Sequence, residues 1–71
     1  MAEEKYSLVG VDGNAFSVMG YVRKAMRKEG FDKKEIQKYT KKAMSGDYNK
    51  LLTTSMEILD KVNKKAERNN K

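Results

Sequence analysis

The chain has 71 residues, 16 lysines and arginines against 10 acids, a formal charge of +6, and neither cysteine nor histidine. That length makes one domain near the lower limit for independent folding, where about 60% of the chain's surface is buried. The composition excludes a disulfide brace, thiolate chemistry, the commonest general base and the commonest soft metal ligand.

No catalytic residue, metal or cofactor is therefore expected. The start, "MAEEKYS", lacks the basic-then-apolar pattern of a signal peptide, and no apolar run approaches the roughly 20 residues that span a bilayer. A soluble, cytoplasmic protein without a membrane partner is expected. The charge is strongly localised. Residues 23–42 hold nine basic groups and only three acids (Glu29, Asp32, Glu35), so the whole excess sits in the middle of the chain.

Residues 6–11 are β-prone, with Tyr6, Leu8, Val9 and Val11, but no second strand is available to pair with them. A lone strand leaves its backbone donors and acceptors open. Residues 1–13 are read as an extended arm and turn that pack on the helices, with strand exchange in a dimer as the alternative.

A helical period begins at Ala15. Ala15, Val18, Met19, Val22, Ala25 and Met26 fall within an arc of roughly 120° on a helical wheel. Asn14 is a good N-cap and Gly30 a good stop. Gly20 lies within this helix, on the Phe16 side of the wheel, at about 1 kcal/mol relative to alanine. In "FDKKEI", Asp32 and Glu35 make a capping-box pattern, and Phe31 can staple to Ile36.

The second helix is expected from Lys33 to Ser45, with Ile36, Tyr39, Thr40 and Ala43 facing inward and Lys34, Lys38 and Lys41 facing out. Gly46 ends it, and Asp47 caps a third helix from Tyr48 to about Asn63, whose apolar stripe is Tyr48, Leu51, Leu52, Ser55, Ile58, Leu59 and Val62. Residues 64–71 lose periodicity and are expected to fray. The fold class is all-α: a three-helix bundle over residues 14–63 with an extended N-terminal arm.

"VDGNAF" (residues 11–16) could be a ligand-gripping loop or a turn that starts a helix. It matches neither the Walker pattern nor the dinucleotide fingerprint, so a plain turn and cap is the stronger reading. "DGNAF" (Asp12, Gly13, Asn14, Ala15, Phe16) and "SGDY" followed by a leucine pair (Ser45, Gly46, Asp47, Tyr48, Leu51, Leu52) are similar to signatures in short uncharacterised bacterial and phage-borne proteins. The resemblance covers residues 8–59. It implies an association with bacterial genomes or mobile elements and carries no activity.

The acids lie on helix ends and solvent faces beside lysines, and Tyr39 and Tyr48 lie on apolar stripes, both better suited to structure than to catalysis. The expected function is non-catalytic binding of a protein partner or a second copy, with Tyr6, Leu8, Phe16 and Gly20 as candidate contacts. The alternative is binding of a nucleic-acid backbone, or of an acidic partner, through Arg23, Arg27, Lys34, Lys38 and Lys41.

Overall fold

The computed structural model describes residues 5–69 and is a three-helix bundle without strands among those residues: α1 (Ala15–Lys28), α2 (Lys33–Met44) and α3 (Tyr48–Asn69). Each helix starts where a short polar side chain can take an orphan amide. The Asn14 side chain accepts from the Phe16 amide, Asp32 from the Glu35 amide and Asp47 from the Lys50 amide. Asp32 makes the forward bond of the capping box, while the Glu35 side chain turns to the groove between α2 and α3.

The α1–α2 joint is a Schellman motif. The Phe31 amide donates to the Met26 carbonyl and the Gly30 amide to the Arg27 carbonyl, with Gly30 at φ +86° where a side chain would be strained. The α2–α3 joint works differently. Ser45 is the C-cap of α2, and Gly46 is not left-handed; a Cβ there would crowd the Lys50 side chain, 2.5 Å from its Cδ and 3.0 Å from its Cβ.

The helices run up, down and up. Ala15 and Phe16 at the start of α1 lie beside Ala43 and Met44 at the end of α2 and Tyr48 at the start of α3. At the other end, Lys65 of α3 stands over the Phe31 ring, 4.7 Å from its centroid. The core takes Val18, Met19, Val22, Ala25 and Met26 from α1, Ile36, Tyr39 and Ala43 from α2, and Leu51, Leu59, Val62 and Ala66 from α3. Ser55 and Thr54 are buried with them, and Ser55 Oγ is hydrogen-bonded to the Tyr39 hydroxyl at 2.6 Å.

Three expectations are corrected. The arm is not extended throughout, because the Val11 amide returns to the Leu8 carbonyl in a turn that sets Gly10 at φ +85°. The third helix does not end near Asn63. It continues to Asn69 with Ala66 buried, because α3 must reach the α1–α2 joint to cover it. Tyr48 is not a core residue, being 43% exposed at the first position of α3. Residues 1–4 and 70–71, with the parts of the arm and tail expectations that fall on them, lie outside the described residues.

The arm lies on the α1–α3 side of the bundle, and side chains replace the missing strand partner. The Tyr6 amide donates to Asn63 Oδ1 at 2.8 Å, and Asn63 Nδ2 donates to the Tyr6 carbonyl at 2.9 Å. One carboxamide thus satisfies both backbone groups that a neighbouring strand would have met. The Ser7 amide donates to the Tyr21 hydroxyl, and the Tyr6 and Tyr21 rings meet edge to face with centroids 6.4 Å apart.

Candidate partner-binding groove

Because α1 and α3 are parallel, their capped starts share one end of the bundle, and the two stretches "DGNAF" and "SGDY" meet there. The Tyr48 hydroxyl donates to the Gly13 carbonyl. The Asp12 carboxylate accepts from the Asn14 amide at 3.1 Å, which fixes the turn leading into the cap. "VDGNAF" is therefore a cap and a turn, and it also builds one wall of a groove.

That groove, about 260 Å³, is floored by buried Met19 and Leu51 and rimmed by Phe16, Met44 and Tyr48. Phe16 is 76% exposed and Met44 63%. Phe16 stands off the inward stripe of α1, as its place on the wheel requires. Met44 closes the last turn of α2 opposite it. An aromatic ring, a thioether and a phenol thus stand exposed around one apolar hollow.

Phe16 begins a stripe. Residues 16, 20, 23 and 27 fall within about 60° on the wheel, and Phe16, Gly20, Arg23 and Arg27 are all exposed. The stripe borders α2, since the Arg23 guanidinium is near enough to Tyr39 to favour its ionised form. Burial is the larger effect on that phenol and pushes it up overall.

The five basic candidates do not form a single row. Arg23 and Arg27 lie on the α1 stripe, and Lys34 and Lys41 point straight out from α2. Lys38 leans to the other side, into an open groove between α2 and α3 that it shares with Glu35, Glu57 and Asp60. Of the three acids in residues 23–42, none joins the α1 stripe. Asp32 caps α2, Glu35 lines the α2–α3 groove, and Glu29 is buried under the arm. Among the described residues the ion pairs are Lys5–Glu29 and Lys64–Asp60, and neither uses a basic group of that segment.

The partner contacts expected in the arm are placed differently. Tyr6 is buried in its own chain; its hydroxyl donates to Glu29 Oε2 at 2.5 Å, beside the Lys5 ammonium at 3.1 Å. Burial, the Glu29 hydrogen bond and the nearby carboxylate charge push the Tyr6 phenol up to about 12. It is a tie within the fold, not a surface contact. Leu8 is half-buried against the core. Val9 and Met56 are exposed nearby, on a separate shallow hollow.

Met44 and Tyr48 belong to the groove but were not among the expected contacts. Met44 follows the core position Ala43 at a helix end, and Tyr48 continues the apolar stripe of α3, so neither carries a local sign of exposure. Among the described residues no group of three acids or other ligating side chains could hold a metal ion, and no helix is long and apolar enough to cross a membrane. Compared with protein-family models, with curated proteins and with solved structures, the chain matches none.

Proposed function

We propose that the chain is a non-catalytic binding module that takes a large apolar side chain of a protein partner into the groove between Phe16, Met44 and Tyr48. The observation that carries this reading is the joint exposure of those three side chains around a floor of core residues. Covering a side chain the size of Phe16 is worth about 1.5–3 kcal/mol, enough to anchor a contact. Both stretches that resemble short bacterial and phage-borne proteins build this groove, which is where a shared binding role would be encoded. The cysteine-free, lysine-rich composition suits the cytosol.

Catalysis has little support. Asp32 and Asp47 are occupied as helix caps, and Glu29 is buried under the arm. Glu35, Glu57 and Asp60 share an open groove with Lys38, Lys61 and Lys64, and the two tyrosines held in their neutral forms serve the core. Nucleic-acid binding is the second reading, favoured by Arg23 and Arg27, which make no ion pair among the described residues. Selection of a random peptide library on the purified chain, with counter-selection on Phe16→Asp, tests the first reading. Peptides bearing a large apolar residue should bind the wild type and lose at least tenfold, about 1.4 kcal/mol, on Phe16→Asp. If no selected peptide distinguishes the two proteins, the groove is not a binding site.

A further inference from the structure

We infer that the partner is an acidic polypeptide segment, anchored by one large apolar side chain at Phe16, Met44 and Tyr48 and running from there along α1, over Gly20, to Arg23 and Arg27. The inference rests on the groove reading and adds to it the path and the chemistry of what binds.

Gly20 is the least expected residue on this path. It is exposed in the middle of α1, its φ is not left-handed, and an added Cβ would meet nothing within 4 Å. Glycine there costs about 1 kcal/mol relative to alanine. Nothing in the packing of the described residues requires it. Between an exposed ring and two guanidinium groups, the missing side chain leaves a dip in which a second backbone can lie close to the helix.

The charge at the far end selects the occupant. The chain has three arginines, and two of them stand on this stripe. Arginine's planar fork matches a carboxylate in two parallel hydrogen bonds, which lysine cannot reproduce. Among the described residues no acid shares the stripe and neither arginine is in an ion pair, so the fork is open to a partner's carboxylates. From Phe16 to Arg27 the path is about 16 Å along the helix axis, the length of an 11-residue helix or of about five extended residues.

Other occupants fit less well. A second copy would set one strongly basic segment near another, since residues 23–42 hold the whole +6 excess, and that juxtaposition is repulsive. A duplex would find only two to four phosphate contacts here, too few for useful affinity at physiological salt. It would also leave the apolar anchor uncovered.

The experiment is a selection of random 16-residue peptides on the wild-type chain, followed by titration of the selected peptides and of a mixed-sequence duplex oligonucleotide. Four variants are titrated beside the wild type: Phe16→Asp, Arg23→Gln/Arg27→Gln, Lys24→Gln/Lys28→Gln and Gly20→Leu. The lysine pair lies on the opposite flank of α1, beside the arm, and controls for charge alone. Circular dichroism of each variant separates lost binding from lost folding.

The expected peptides carry one large apolar residue and two or more acids. They should lose at least tenfold on Phe16→Asp, on Arg23→Gln/Arg27→Gln and on Gly20→Leu, and less than threefold on Lys24→Gln/Lys28→Gln. Apolar peptides without acids, indifferent to the arginine pair, would overturn the inference and leave the groove reading standing. Peptides indifferent to Phe16→Asp, or no peptides at all, would overturn both. Tighter binding of the duplex than of any peptide, sensitive to the arginines and not to Phe16, would assign the stripe to nucleic acid instead.

Discussion

The Tyr48 hydroxyl donates to the Gly13 carbonyl, tying the first residue of α3 to the turn that precedes α1 across 35 positions of sequence. This bond fixes the two walls of the Phe16 groove relative to each other. The donor ring is 43% exposed, so water competes for the hydroxyl and the bond is worth about 0.5–1.5 kcal/mol. Tyr48→Phe should keep full helix content, lower stability by that amount in urea denaturation, and loosen the groove. A loss above 3 kcal/mol would place Tyr48 in the core after all.

The tie at the other end of the arm makes stability depend on alkaline pH. In the folded chain Tyr6 holds its proton to about 12, against about 10 when unfolded, because it is buried and bonded to Glu29. Between those values the unfolded state has released a proton that the native state keeps, so stability falls as pH rises from 10 towards 12. The contribution is fully present below pH 10. Urea midpoints for the wild type should drop across that window, and Tyr6→Phe should drop less, with the buried Tyr39 still contributing. At pH 7 the same variant should be less stable by about 1–3 kcal/mol, since the buried Glu29 carboxylate loses a donor.

Ser55 and Tyr39 form a buried polar pair, 2.6 Å apart, in the seam between α2 and α3. Ser55→Ala leaves the Tyr39 hydroxyl buried without its partner and should cost about 1–3 kcal/mol. Tyr39→Phe should cost less. The double variant should recover part of the Ser55→Ala loss, because both polar groups leave together. Additive losses in this double-mutant cycle would mean the two hydroxyls do not depend on each other.

What the sequence made legible follows from distance along the chain. Asn14, Asp32 and Asp47 cap helices through amides two or three residues away, so their roles show in any short window. The wheel also set Phe16, Gly20, Arg23 and Arg27 off the inward face of α1. The bracket between Asn63 and Tyr6 spans 57 positions, and an asparagine late in a helix gives no sign that it will stand in for a strand. Tyr48 misled for a related reason. Its spacing from Leu51 and Leu52 is that of a core residue, but at the first position of α3 it stands at the end of the bundle, beside Phe16 and Met44, where it is 43% exposed and its hydroxyl turns to Gly13.

The end of α3 gives the last test, because residues 64–69 are charged or polar except for Ala66 and yet stay helical. Two contacts hold them: Ala66 is buried, and the Lys65 ammonium stands over the Phe31 ring at the α1–α2 joint. The buried methyl is worth about 0.8 kcal/mol and the cation–π contact about 0.5–1 kcal/mol. A chain ending at Asn63 should therefore lose about 1–3 kcal/mol, or roughly 4–8 °C in Tm per kcal/mol for a domain of this size. Ala66→Asp should do at least as much harm by forcing a carboxylate against buried Val62 and the core. Unchanged melting for both variants would show that the segment only trails along the bundle. A loss in both would make it the cover of the joint on which α1 and α2 are set side by side, and so part of what holds the arginine stripe in place.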